Sequence, residues 1–316
     1  MKAILLNDTR SERHIGCDLV ISNTLAEAAR TGIEIVEAVA NSEVQQSAAR
    51  ASASAAELVL INGEGTMHDD WPKPTALALA AKVSKERGRK VVLYNTVWQN
   101  NPALAAYLKY FDLIFCRESL STEQIRKAGF HALTVPDMTF AKGIPSIDRS
   151  TSLAVIDSVN GKAAKQLAWF AIRKRAAFLP FSQSSFDRLH SRKRLGLFLH
   201  HRCGTPSEFN VHDTLTRLAS AERIVSGRFH GTCLAFNLGK PIASLSSNTH
   251  KTEGLYRDIG LDPDQMKSSP FLGWIRASSL ERQFAYSLAN QEKIRAYASK
   301  AQRQIAEMFD TIARIR

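Results

Sequence analysis

The chain has 316 residues, more than a single core of about 150 residues requires and enough for two. Hydrophobic residues make up 44% and charged residues 23%, which excludes disordered and fibrous classes. Lysine and arginine outnumber aspartate and glutamate by 42 to 30, a net charge of +12 that favours anionic partners: phosphorylated metabolites, lipid headgroups or nucleic acid. Nucleic acid ranks last, because no zinc-finger spacing, RNP-type aromatic pattern or basic zipper occurs.

The opening segment, MKAILLNDTRSER, has an apolar run too short for a signal-peptide core, and nowhere do 18 consecutive apolar residues occur. A cytoplasmic protein is expected. Cys17, Cys116, Cys203 and Cys233 are scattered without a C-x-x-C pair, so reduced, structural thiols are expected rather than a disulfide scaffold or zinc ribbon.

In chain order, strands are predicted at 2–8, 33–39, 57–63, 90–97, 112–118 and 131–137, separated by Ala-rich helical stretches such as PTALALAAKVSKERG, which Gly88 stops. Their continuous rather than alternating apolarity marks strands covered on both faces, hence a parallel sheet between helices. After AKGIPSIDRSTS (141–152) the rhythm restarts, with strands predicted at 153–159, 176–181, 195–201, 223–228 and 241–247. This predicts an α/β chain of two doubly wound Rossmann-like domains, 1–145 and 146–316. From Ser279 onward Ile294, Ala298, Ala301, Ile305, Met308, Ile312 and Ile315 step by four and three, predicting one long amphipathic helix that packs across the domains or lies on a membrane surface.

Ligands of open parallel sheets bind beyond the carboxyl ends of the strands, where helix N-termini point unpaired N–H groups. Four joints fit. In ELVLINGEG, Gly63, Glu64 and Gly65 follow a buried strand and allow a tight turn or a close ligand approach. In SGRFHG, Arg228 ends a strand, His230 enters the first helical turn and Gly231 follows; an arginine fork and a helix N-terminus suit a carboxylate or phosphate. In SSNTHKTEG, Asn248, Thr249, His250 and Lys251 put small polar groups and a cation at a helix start, although an N-cap by Asn248 or Thr249 explains part of this. In LIFCRESLSTEQ, Ser119 can cap the next helix, while Arg117 needs an acid, Glu118 or one at a domain interface.

Basic residues also concentrate between Arg173 and Arg202, a solvated face or a surface for an anionic lipid or diphosphate. Metal chemistry is poorly supported: His200 and His201 are adjacent and in a strand point to opposite faces, and no H-E-x-x-H or paired Asp signature occurs. No G-x-S-x-G nucleophile motif occurs either.

Taken together, Gly16 and Asp18 after the first strand, NGEG, CRESLSTEQIRKAG, VPDMTF (135–140) and SGRFHGTCLAFNLGKPIASLSSNTHKTEGLYRDIGL resemble the polysaccharide pyruvyl transferase family. The resemblance implies a fold similar to the GT-B glycosyltransferases, with the donor in the C-terminal domain. It also implies transfer of a pyruvyl group from phosphoenolpyruvate onto a glycan or lipid-linked saccharide as a ketal, without a cofactor. Arg228 would bind the donor's carboxylate or phosphate and His230 would be the catalytic histidine. Gly231, Asn248, Thr249, His250 and Lys251 would complete the donor side, and Gly16, Asp18, Gly63, Glu64, Gly65 and Arg117 the acceptor side or crevice. The family's N-x-G-D is here H-I-G-C-D, with Cys17 added, and its G-G-G turn here contains Asn62 and Glu64. Two other readings suit the same crevice: a GT-B glycosyltransferase using a nucleotide sugar, and a catalytically silent glycan- or phosphate-binding protein. The basic surface also allows peripheral contact with the inner face of an anionic membrane.

Overall fold

A computed structural model describes residues 1–316 apart from 145–146, 148–150, 192, 206–207, 269–276 and 316. Six strands form the first sheet: β1 (Lys2–Asp8), β2 (Glu34–Ala40), β3 (Leu58–Asn62), β4 (Lys90–Thr96), β5 (Leu113–Cys116) and β6 (Leu133–Thr134), ordered β2-β1-β3-β4-β5-β6. The second holds β7 (Thr151–Ser158), β8 (Ala177–Leu179), β9 (Ala221–Gly227), β10 (Ile242–Leu245) and β11 (Lys267–Ser268), ordered β11-β10-β9-β7-β8. All pairings are parallel.

Both sheets share one winding pattern: the first strand of each lies between its second and third. The strand order therefore reverses between β1 and β3 and again between β7 and β9, and the ends of these strands are the points where a doubly wound sheet opens a crevice. Alternate residues of β1 serve separate cores: Ala3 and Leu5 join a cluster with Ala154 and Ile156 of β7 and Phe309, whereas Ile4 and Leu6 join the cluster on the sheet's other face. One apolar core thus runs from the first sheet to the second.

The boundary expected near residue 145 falls outside the described residues. Leu195–His201 is not a strand but part of the helix Lys193–Cys203. A short apolar run does not distinguish the two by itself, and here Leu195, Leu199 and Cys203, four apart, are buried while Leu197 and Phe198 are exposed. His200 and His201 are consequently neighbours on a helix rather than on opposite faces of a strand. β6 keeps only two of the seven predicted residues, and the single C-terminal helix is two, Ala277–Ala289 and Gln291–Ala313, with Asn290 between them. The apolar stripe of the second helix, Ile294 to Ile312, is buried against the shared core, so it is not available to a membrane. Among the described residues no helix is long and apolar enough to cross a membrane. The four cysteines are buried and unpaired.

Candidate active site

The two switch points face each other across a cavity of ≈ 210 Å³. The first sheet contributes Thr9 and Glu12 after β1, His14 and Cys17 at the start of the helix Ile15–Arg30, Glu64, Gly65 and Thr66 after β3, and Arg117 after β5. The second contributes Val159 after β7, Gly227 at the end of β9 and Arg228 to His230 after it, and Ser247, Asn248 and Lys251 after β10.

His230 sits in the first turn of the helix Phe229–Asn237 and is 8% exposed. Its Nε2 is buried and has no hydrogen-bond partner among the described residues. Glu64 Oε1 lies 3.5 Å and Asp137 Oδ2 3.6 Å from it, close enough to act electrostatically and too far to count as strong hydrogen bonds. Gly16 explains how the ring reaches the first sheet: a Cβ there would stand 2.2 Å from His230 Cγ, so only glycine lets the two elements close up. His14 packs edge-on at 5.6 Å between ring centroids.

Arg228 is the N-cap residue of that helix, but its fork does not point into open space. Nε donates to Asp157 Oδ1 at 3.1 Å and Nη2 to Asp157 Oδ2 and Ser185 Oγ at 2.7 Å each. Asp157, embedded in β7, is fully buried and holds the guanidinium at the cavity edge. Arg117 is likewise buried, at 1% exposure, with Nη1 on Asp137 Oδ2 at 3.2 Å and its guanidinium 4.3 Å from the Phe229 ring centroid. Its acid is therefore Asp137 and not Glu118. Glu118 is instead the N-cap of the helix Ser119–Lys127, accepting from Ser121 N, the role expected of Ser119. Burial pushes the Asp137 carboxyl up, yet His230, Arg117 and the Thr139 backbone N–H outweigh it and hold it well below the usual range.

Lys251 is the third cation. It is buried, donates to Asn248 Oδ1 at 2.8 Å, and is drawn down to about 7 by desolvation first and by the neighbouring Arg117 and Arg228 charges, despite Glu64. Neither Asn248 nor Thr249 caps its helix; the N-cap position is His250, without a side-chain cap bond. His250 leans the other way, with Nε2 at 3.3 Å from Glu118 Oε1 and 3.2 Å from Ser121 Oγ.

Glu64 gathers the opposite wall. It is 3% exposed at a positive φ of 22°, a conformation that costs a non-glycine residue on the order of 1 kcal/mol. Its carboxylate accepts from Thr9 Oγ1 at 2.6 Å, Asn62 Nδ2 at 3.1 Å and Cys17 Sγ at 3.0 Å. Cys17, Asn62 and Glu64, the departures from the motifs quoted above, are thus one connected cluster. Desolvation and then Glu64 push the Cys17 thiol well up, so it stays protonated.

His14, Cys17 and His230 bring donor atoms within 4.8 Å of one another, a spacing a metal ion could use. In the metal-free protein His14 and Cys17 are held by local hydrogen bonds. His14 Nδ1 accepts from the Gly16 and Cys17 backbone N–H groups at 3.1 and 3.4 Å, and burial followed by the Arg228 and His230 charges holds the ring neutral, so its proton is on Nε2. The Cys17 thiol donates to Glu64, so without a metal both side chains present donors to the crevice.

Of the sequence-predicted residues, the cavity lining unites Glu64, Gly65, Arg117, Arg228, His230, Asn248 and Lys251. Gly16 backs the His230 ring, Gly63 packs on Thr96 and Gly231 on Ser226 and Ile156. Asp18, Thr249 and His250 are not part of the lining. Thr9, Glu12 and Asp157 carry no motif of their own, whereas His14 and Asp137 stand in the segments H-I-G-C-D and VPDMTF without being site candidates there. The only signal for Asp157 is an acid within an apolar run, LAVIDS.

The polysaccharide pyruvyl transferase model matches residues 14–249, which takes in both walls of this cavity except Thr9, Glu12 and Lys251. The chain belongs to the polysaccharide pyruvyl transferase family. No curated protein matches it significantly in sequence. Among solved structures, the family member is similar to the Staphylococcus aureus MnaA–UDP complex (TM-score 0.57, 13% identity, covering 97% of this chain and 90% of that one). It is also similar to Acinetobacter baumannii MurG (0.55, 9%, 98% and 99%) and to a putative UDP-N-acetylglucosamine 2-epimerase from Listeria monocytogenes (0.54, 12%, 100% and 91%). At these identities the likeness establishes the GT-B-like fold alone.

Proposed function

We propose that this family member transfers the pyruvyl group of phosphoenolpyruvate onto two hydroxyls of a sugar in a glycan or lipid-linked precursor, in the cytoplasm and without a cofactor. The observation that carries this reading is the buried Nε2 of His230, which makes no hydrogen bond, in a cavity that also holds Arg117, Arg228 and Lys251. A donor with a carboxylate and a phosphate meets three cations and a helix N-terminus there. His230 delivers a proton to the methylene carbon, and a sugar hydroxyl attacks the neighbouring carbon and loses its own proton. The C–O bond to phosphate then breaks, the phosphate leaving with the electron pair, and the second hydroxyl closes the ketal as its proton is released. Positioned proton transfer of this kind is worth roughly 100-fold or more. The cations and helix N–H groups stabilise charge on the departing phosphate.

The test is a thermal-shift titration with phosphoenolpyruvate and, separately, with uridine and guanosine diphosphates. A ligand at about 100 times its Kd stabilises the native state by about 2.7 kcal/mol. Stabilisation by phosphoenolpyruvate, reduced in Lys251→Met and Arg228→Lys, is expected. Stabilisation by a nucleotide alone overturns the proposal in favour of a glycosyltransferase, and binding without turnover of any acceptor makes the protein a silent binder.

A pH dependence follows. Lys251 titrates at about 7, and an anion on it favours the charged form. Phosphoenolpyruvate affinity is therefore expected to fall as the pH rises past about 7, and Lys251→Met to weaken binding below that pH while flattening the dependence. Calorimetric titration on either side of neutrality checks both.

A further inference from the structure

Residues 161–203 carry ten lysines and arginines against one acid, Asp187, so this stretch holds nine of the chain's twelve net positive charges. It forms the helices Gly161–Lys174, Gln183–His190 and Lys193–Cys203, stacked outside β7 and β8. The first and last of these expose large apolar groups instead of burying them: Trp169 is 44%, Leu197 59% and Phe198 46% exposed. Trp169 and Phe198 meet across the two helices, with ring centroids 6.4 Å apart. Lys165 stands one helical turn from Trp169, and Arg194 and Arg202 stand one turn on either side of Phe198, all three exposed.

We infer that this face docks onto an anionic phospholipid bilayer. Interleaved cations and exposed aromatic and aliphatic side chains are what an interfacial helix presents: the cations meet lipid phosphates while the apolar groups enter the headgroup boundary. Bases could stack on Trp169 and Phe198, but the more exposed Leu197 offers no ring to stack on and suits the acyl boundary, which is why a membrane fits the face better than a nucleic acid. The C-terminal helix, the other amphipathic candidate, has its apolar stripe covered by the core. The face also borders the active site. Lys162, Lys165 and Arg188 line a second cavity together with Asp157 and Ser185, the residues that hold Arg228. A bilayer on this face would present a lipid-carried acceptor beside the crevice; the docking itself does not depend on which reaction the crevice performs.

Vesicle flotation tests the inference, with the full chain and vesicles of phosphatidylcholine alone or mixed with phosphatidylglycerol. Binding to the mixed vesicles only, weakened by added salt, is expected. Neutralising Lys165, Arg194 and Arg202 to glutamine is expected to lower partitioning about fivefold per cation, on the order of a hundredfold together. Trp169→Ser with Phe198→Ser is expected to lower it by about tenfold or more, from lost apolar burial. Because all five residues are exposed, thermal melting of both variants should match the parent. Absence of binding to phosphatidylglycerol vesicles, or binding that neither set of substitutions weakens, overturns the inference. So does loss in the cation variant alone accompanied by equal affinity for a single-stranded RNA, which would mark a polyanion site without membrane character.

Discussion

Replacing His230 with asparagine is expected to reduce pyruvyl transfer by roughly 100- to 10,000-fold, the range for removing a positioned general acid, while leaving the fold intact. Asparagine fits within the space the ring occupies against Gly16, and the substitution removes no close hydrogen bond, only the longer ionic contacts of Nε2 with Glu64 and Asp137. Steady-state assay of phosphate release, with thermal melting as control, checks both halves. If phosphoenolpyruvate still stabilises the variant while turnover is lost, His230 acts in chemistry rather than in donor binding. A fully active variant removes it from the mechanism. Gly16→Ala is the complementary probe: its methyl group would have to displace the same ring, so activity should fall although no cavity residue has been changed.

Arg117→Ala is expected to have the largest effect on stability, up to about 3–5 kcal/mol, because it leaves the buried Asp137 carboxylate without its guanidinium and with only the His230 ring, 3.6 Å away, beside it. It also removes the guanidinium from the Phe229 ring, a contact between a residue following β5 and one following β9, so the loss weakens the junction of the two sheets. Chemical denaturation measures the change. Arg117→Met with Asp137→Asn, which removes both charges, should cost less than the single substitution. The sign of the pH effect follows from Asp137. Its folded-state carboxyl is held well below the usual range, so its contribution is fully present above an unfolded value of about 3.9 and is lost as the pH falls below that. In the alanine variant Arg117 no longer contributes to that hold, and this part of the acid destabilisation should shrink.

The sites legible in the sequence were those where a residue type contradicts its surroundings. A cation and an imidazole closing an apolar strand at Arg228 and His230 announce a buried polar joint, and the glycines at 63 and 65 announce a turn. The caps were less legible. Glu118 rather than Ser119, and His250 rather than Asn248 or Thr249, occupy the N-cap positions, since several polar residues in a row each satisfy the local rule and tertiary packing chooses among them. The helix at 193–203 was misread for a related reason: seven residues of mixed apolar character do not report their period until one face is buried.

Local patterning by itself determined the alternation of buried strands with helices, the parallel α/β class, the restart of that alternation past residue 150, and the polar joint at Arg228 and His230 between a strand and a helix, because each is a property of a few neighbouring residues. Only the tertiary structure decided what those residues face. Arg228 meets an aspartate 71 positions away, Arg117 an aspartate 20 positions away, and Glu64 collects donors from the segments after β1 and around β3. Pairings at such separations depend on the strand order, which brings the ends of β1, β3, β7 and β9 to one crevice, and strand order is fixed by the burial of whole sheets rather than by any short stretch of chain.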